Sequence, residues 1–177
     1  MPPARQPGPE AARDRLQPAL LDRLTDDEPS KLTEAPERAT MTRARLREAV
    51  LRDLSSLLNT TNLESEVDMT NLPAVRASTL NYGVPVLSGR RIADVDWQDL
   101  EIAIRDAIAA FEPRVLPDTI QVRGVTTASS LDHHNVLSFE IRGQLWSVPY
   151  PLELLLRSNL DVESGQVVLR DESIERR

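Results

Sequence analysis

The stretch from Asp99 to Arg114 constrains the fold of this chain most, because it joins an amphipathic helix to an abrupt stop. Its apolar residues recur at three- and four-residue spacing and so share one helix face: Leu100, Ile104, Ala107, Ile108 and Phe111. Pro113 disfavours helical geometry at Glu112 and has no backbone donor, so the helix is predicted to end there. Beyond Pro113 the period changes towards that of strands, which places a Glu-Pro-Arg tripeptide at a corner between a helix and a sheet.

The residues after this corner alternate in a way that is typical of strands. Strands are predicted over residues 119–125, 136–142, 145–148, 152–161 and 166–170, with Gly143 and Gln144 as a two-residue turn. A further amphipathic helix is predicted over residues 43–58. Together these elements predict an α+β fold, with N-terminal helices followed by a small antiparallel sheet with an exposed edge, and with helix 97–111 packed on the sheet.

Composition divides the 177 residues into two parts. Seven of the thirteen prolines lie in the first forty residues, and all six aromatic residues lie beyond residue 80. We therefore expect residues 1–40 to be a flexible leader and residues 41–177 to be a single α+β domain. A short docking helix is predicted near residues 18–26, where Leu20, Leu21 and Leu24 share one side. Such a short helix is marginal alone, so these leucines are expected to pack on their own domain or on a partner.

Charge and residue types argue against several classes of function. The net charge of −7 argues against a nucleic-acid-binding face, and without cysteine there is no disulfide or cysteine-bound zinc. No run of about 18 apolar residues predicts a membrane span, and the N-terminus does not resemble a signal peptide, so a cytoplasmic protein is expected. No phosphate-binding loop is present, and neither Asp132-His133-His134 nor the acidic residues 64–68 form a pattern with metal-ligand spacing. We predict no cofactor, no metal and no small-molecule substrate.

Glu112 is a further acidic residue whose position invites a catalytic interpretation, that of the general acid of a glycosidase. A glycosidase needs a second carboxylate across the bond that it cleaves. Asp106 and Asp118 are the nearest acids in sequence, and the sequence gives no reason to place either of them close to Glu112. The chain is therefore not expected to be an enzyme.

Four motifs in order resemble the TssE family of type VI secretion baseplate subunits, which is related to wedge proteins of contractile-tailed phages and carries a "lysozyme-related" label. The motifs are Leu-Asp-Arg-Leu-Thr-Asp over 21–26, Asp-Leu-Ser-Ser-Leu-Leu-Asn-Thr over 53–60, Leu-Asn-Tyr-Gly-Val-Pro over 80–85 and Phe-Glu-Pro-Arg over 111–114. The resemblance implies a structural subunit that docks on the baseplate wedge and initiates the contractile sheath. It also implies a cytoplasmic location in a membrane-docked complex, with TssF, TssG, TssK and sheath proteins as partners.

By the same resemblance, Glu112, Pro113 and Arg114 form the family's contact with the wedge core of TssF and TssG. The residues themselves leave a second role open, in which Glu112 and Arg114 only tie the helix end to the sheet within this subunit; the two roles are compatible. An open sheet edge also offers a template for strand addition from another chain. The alternatives at this stage are a peptidoglycan hydrolase and a soluble adaptor outside any secretion machine.

Overall fold

Helices precede a four-stranded sheet in the computed structural model, which describes residues 19–25, 30, 41–86, 97–125 and 136–173. The α-helices in these ranges are α1 (Leu20–Leu24), α2 (Arg43–Leu58), α3 (Pro73–Arg76) and α4 (Trp97–Phe111). The strands are β1 (Gln121–Val125), β2 (Val136–Leu145), β3 (Leu152–Asp161) and β4 (Val167–Asp171). Short 3-10 turns cover Leu63–Ser65, Thr79–Asn81 and Pro117–Thr119. The predicted α+β class is confirmed.

The sheet is antiparallel throughout, and its strands follow one another in the order β1-β2-β3-β4. β2 and β3 pair along the whole of both strands. One face of the sheet is covered by α4, which packs on β1, and by α2, which packs on β4. The core between these layers is apolar, and its most deeply buried side chains include Leu54, Ile108, Phe139, Ile141 and Leu156. Helix 97–111 is therefore packed on the sheet as predicted.

Side chains fix both ends of α2. The Thr42 hydroxyl accepts a hydrogen bond from the Arg45 amide at the N-terminus, as an N-cap does. At the C-terminus the Asn59 side-chain amide donates to the Ser55 carbonyl. The same side chain also donates to the Val167 carbonyl and accepts from the Val167 amide, both at 2.9 Å. Asn59 thus ends the helix and fastens it to the first residue of β4.

The prediction of a turn at Gly143 and Gln144 is wrong, because β2 continues through both residues to Leu145. Gly143 pairs with Leu154 inside the ladder. A Cβ atom at Gly143 would lie 3.2 Å from Cγ1 of Val115, so the missing side chain makes room for a neighbour that crosses the strand. Glycine in a strand often marks such a close approach. The predicted strand 145–148 is correspondingly absent from the described structure, in which β2 ends at Leu145.

Some of the predicted features lie outside the described residues. These are Asp132, His133 and His134, together with most of the leader 1–40. α1 forms inside the segment predicted as a short leader helix. None of the helices in the described ranges has both the length and the apolar character needed to cross a membrane.

Asn81, Tyr82 and Gly83 form a bend, here called the Asn-Tyr-Gly corner, and Gly83 holds it against the residues that follow α2. Its φ of 124° lies in a region that side-chain-bearing residues rarely adopt, and a Cβ atom there would overlap the Thr60 carbonyl oxygen. This close approach lets the Val84 amide donate to the Thr60 carbonyl at 2.9 Å. It also lets the Asn62 amide donate to the Val84 carbonyl at 3.0 Å. A glycine at this position is therefore required by both conformation and space.

Replacing Gly83 with alanine is expected to lower the free energy of unfolding by roughly 2–6 kcal/mol, since backbone strain and overpacking each cost about 1–3 kcal/mol. Urea unfolding followed by circular dichroism measures the effect. Gly143→Ala is the matched control, because a Cβ atom there meets only the side chains of Val115 and Thr119 and because the φ of Gly143 is not positive. Equal effects of the two substitutions would contradict this account of the corner.

Candidate functional site

The Glu-Pro-Arg tripeptide folds back on itself at the end of α4. The Glu112 amide closes the last helical turn on the Ile108 carbonyl at 2.9 Å, and the Glu112 side chain points inward with 3% of its surface exposed. Nε of Arg114 donates to Oε1 of Glu112 at 2.7 Å, and Nη2 donates to Oε2 at 2.5 Å. The Arg114 amide also donates to Oε1, at 3.1 Å. The carboxylate and the guanidinium therefore form a bidentate pair within three residues.

Arg114 also reaches the second helix layer. Its Nη2 donates to Oδ2 of Asp53 on α2 at 2.5 Å. Asp53 accepts in turn from Nε of Arg52 at 2.8 Å, and Nη1 of Arg52 donates to Oδ1 of Asp22 on α1 at 2.7 Å. Five side chains of alternating charge thus form a network, here called the corner network, which consists of Glu112, Arg114, Asp53, Arg52 and Asp22. It links the C-terminal end of α4 to α2 and to α1.

Three members of the corner network, Asp53, Arg114 and Arg52, have pKa values that are shifted in favour of their charged forms. Burial alone would raise the pKa of the Asp53 carboxyl, but hydrogen bonds from Arg52 and Arg114 outweigh that effect and hold the pKa below its usual value. Burial lowers the pKa of the Arg114 guanidinium. Pairing with Glu112, and to a smaller extent with Asp53, raises the pKa by more than burial lowers it, so the net shift is upward. Hydrogen bonds to Asp53 and Asp22 likewise raise the pKa of Arg52.

The three predicted contact residues differ in what they present to solvent. Glu112 is buried and Pro113 is exposed, while 22% of the Arg114 side chain is accessible. The fork of Arg114, formed by Nε and Nη2, is already occupied by Glu112, and Nη1 is buried without a hydrogen-bond partner in the described part of the chain. The corner therefore presents Pro113 to solvent, while Glu112 positions Arg114.

The leader leucines lie away from the core. Leu20, Leu21 and Leu24 are 70%, 58% and 75% exposed, so the leucine side of α1 does not pack on its own domain in the described structure. α1 is instead attached through Asp22, which binds Arg52. Packing of these leucines on a partner stays a prediction.

Sequence reasoning missed Asp22, Arg52 and Asp53 as site residues. Asp22 and Asp53 lie inside two of the motifs quoted for the resemblance, yet nothing in the spacing of those motifs says that Arg114 or Arg52 is their partner. The motif over 80–85 also joins the site, because the rings of Tyr82 and Phe111 meet edge to face with centroids 5.3 Å apart. All four motifs therefore converge on the same corner.

This geometry is unsuited to acid catalysis by Glu112. Both of its carboxylate oxygens are bound by Arg114, and the side chain has no accessible surface of note. The neighbouring acid, Asp53, is held on the same guanidinium rather than across a cleft. No cluster of three or more His, Cys, Asp or Glu side chains that could hold a metal ion occurs among the residues that the structure describes.

The chain matches one family of known proteins over a range that includes the Glu-Pro-Arg tripeptide. Residues 44–150 match the protein family GPW_gp25, described as baseplate wedge protein gp25. The match covers more than half of the chain and spans α2, the Asn-Tyr-Gly corner, α4, the Glu-Pro-Arg tripeptide, β1 and β2. No curated protein and no solved structure matches the chain significantly.

Removing the Glu112 carboxylate is expected to destabilise the fold, because Arg114 is then half-buried without its bidentate partner. Glu112→Ala should lower the free energy of unfolding by about 3–5 kcal/mol, as is typical when one member of a buried ion pair is deleted. Asp106→Ala is the matched control on the same helix, since its pair with Arg105 is exposed and is worth at most about 1 kcal/mol. Urea unfolding of both variants measures the contrast, and an effect of Glu112→Ala no larger than that of the control would contradict the assigned role.

Asp53 should make the free energy of unfolding depend on pH in the acidic range. The pKa of Asp53 is lower in the folded state than the value of about 3.9 expected in the unfolded chain. The contribution of Asp53 to the free energy of unfolding is therefore complete above pH values of about 3.9, and it is lost as the pH falls through the folded-state pKa. Asp53→Asn is therefore expected to destabilise the protein most at pH 7, with the difference from wild type narrowing below about pH 4. Urea unfolding between pH 2.5 and pH 7 tests this, and a difference that does not change with pH would contradict it.

Proposed function

The chain belongs to the gp25 family of baseplate wedge proteins, structural components of contractile injection systems, and from that premise we propose that it serves in a bacterial type VI secretion system. In this role it docks on the wedge formed by TssF and TssG, in a baseplate that also contains TssK, and initiates assembly of the contractile sheath. The baseplate lies on the cytoplasmic side of a membrane-docked complex.

The observation that carries the docking role is the way the corner network fixes the Glu-Pro-Arg tripeptide. Arg114 is held from both sides, by Glu112 and by Asp53, while Pro113 stands exposed between the two paired side chains. A surface whose geometry is set before binding loses less conformational entropy when it meets a partner. Glu112, Pro113 and Arg114 thus contribute to docking in different ways: Pro113 by contact, Arg114 by contact and support, and Glu112 by support.

The sheath-initiating role is supported by the open edge of β4. The ladder with β3 alternates, and the Glu172 amide donates to the Leu155 carbonyl, so Leu169 and Asp171 turn their backbone groups away from β3. Asn59 occupies the same edge only at Val167. At the other edge the Gly124 amide donates to the Glu101 carboxylate at 2.6 Å. We therefore assign the strand-accepting role to β4, from Leu169 to Asp171.

The exposed leucines of α1 offer a second contact in the same assembly. Asp22 anchors α1 to Arg52, while Leu20, Leu21 and Leu24 of the same helix stay exposed. Three neighbouring exposed leucines are typical of a surface that a partner covers. Their proposed role is leader docking on the wedge.

A charged side chain at the tip of the corner is expected to block docking without unfolding the subunit. Pro113→Glu should weaken binding of the chain to the TssF–TssG pair encoded with it by at least roughly 30-fold, because an unpaired charge in an interface costs about 2 kcal/mol or more. Biolayer interferometry with the immobilised chain measures the dissociation constant.

Pro73→Glu is the matched control for that experiment, since Pro73 is also exposed but opens α3, where an acidic residue is favourable near the helix N-terminus. Unfolding curves establish that both variants are folded. The docking role is wrong if folded Pro113→Glu binds the pair as tightly as the control does. A wild-type chain that does not bind the pair at all would contradict the secretion-system assignment itself.

A further inference from the structure

The chain uses its few aromatic residues unevenly. Four of the six form two buried or half-buried pairs, Tyr82 with Phe111 at 5.3 Å and Trp97 with Phe139 at 5.4 Å between ring centroids. The other two, Trp146 and Tyr150, are 53% and 74% exposed and lie four residues apart on the connection between β2 and β3. A protein with 3% aromatic residues thus presents two of its six aromatic side chains on one short exposed segment.

The fold does not need the ring of Trp146 for its own core. The two residues that flank it, Leu145 and Ser147, are 0% and 5% exposed and carry the inward packing of this segment. Trp146 alternates with them and points outward. Pro149 and Pro151 restrict the backbone on either side of Tyr150, so that little conformational freedom remains to be lost on binding.

Backbone hydrogen bonds place this segment beside the Glu-Pro-Arg corner. The Trp146 amide donates to the Arg114 carbonyl at 2.8 Å, and the Leu116 amide donates to the Gln144 carbonyl at the same distance. Val115 and Leu145 form an antiparallel bridge between these two bonds. The residue that follows the exposed proline of the corner is therefore tied directly to the exposed tryptophan.

We propose that Trp146 and Tyr150 form the aromatic anchor of the docking surface at the corner, next to Pro113. This inference rests on the proposed function. The partner that covers the docking surface is the wedge partner on which the corner docks. Trp and Tyr are the residues most enriched among those that dominate binding free energy at interfaces, because each buries a large area at a low cost in side-chain entropy.

The charges of this chain indicate the chemistry of that partner. The corner network contains three carboxylates, those of Glu112, Asp53 and Asp22, against the two guanidiniums of Arg114 and Arg52, and the whole chain carries a net charge of −7. The fork of Arg114 is occupied by Glu112, so it is not free to bind a carboxylate of the partner. The complementary surface is an apolar pocket with basic side chains at its rim.

Fluorine NMR on the intact chain labelled with 5-fluorotryptophan tests the inference. The two resonances belong to Trp97 and Trp146, and the Trp97→Phe variant assigns them. Adding unlabelled TssF–TssG pair should shift the Trp146 resonance and remove its sensitivity to exchange of H₂O for D₂O, while the Trp97 resonance stays in place. Trp146→Ala should weaken binding of the pair by about 30-fold, as expected for a central anchor. Ile102→Ala removes an apolar side chain that is 46% exposed on α4, and this control variant should bind the pair as tightly as the wild-type chain does.

The outcomes separate this inference from the proposed function. If the pair binds and the Trp146 resonance does not change, the anchor is wrong and the docking role stands. If the wild-type chain does not bind the pair, the proposed function fails and the inference fails with it. A change in the Trp146 resonance on raising the concentration of the chain alone identifies a second copy as the occupant and overturns the assignment of the wedge partner.

Discussion

The pairing of Glu112 with Arg114 is the interaction on which the rest of the site depends. A glutamate at the C-terminal end of a helix is unfavourable, because its charge faces the negative end of the helix dipole. Burial makes the charge more costly still. Arg114 compensates both effects with a bidentate pair, and Pro113 between them ends the helix so that the chain can fold back. The charged pair therefore determines the path of the backbone from α4 to β1.

Much of this arrangement was predictable from local sequence patterns. The spacing of Leu100, Ile104 and Ile108 predicted the helix, and Pro113 predicted its end. Alternation predicted the strands, but it could not tell whether Gly143 served a turn or a close approach, because that depends on Val115 crossing above it. The pairing of Arg114 with Asp53 joins residues 61 positions apart, and only the tertiary fold brings them together. For the same reason the sequence left open whether Glu112 faced inward or towards a partner.

The corner combines an ionic network with an exposed apolar surface. The network, from Glu112 to Asp22, fastens three helices to one another, whereas the surface presents Pro113 and the nearby Trp146. The chain belongs to a family of baseplate wedge proteins, and the proposed docking role assigns this surface to contact with a neighbouring subunit. The part of the chain that matches the family, residues 44–150, contains the Glu-Pro-Arg tripeptide and Trp146 together.

The subunit itself holds Arg114 in place before any partner binds. Nitrogen-15 relaxation of arginine Nε–H groups in the free protein measures this directly, with the exposed Arg105 as an internal reference. We expect an order parameter of about 0.8 or higher for Arg114 in the wild-type protein, and in the Glu112→Gln variant we expect it to fall towards the value for Arg105. An order parameter below about 0.6 for Arg114 in the wild-type protein would contradict this expectation.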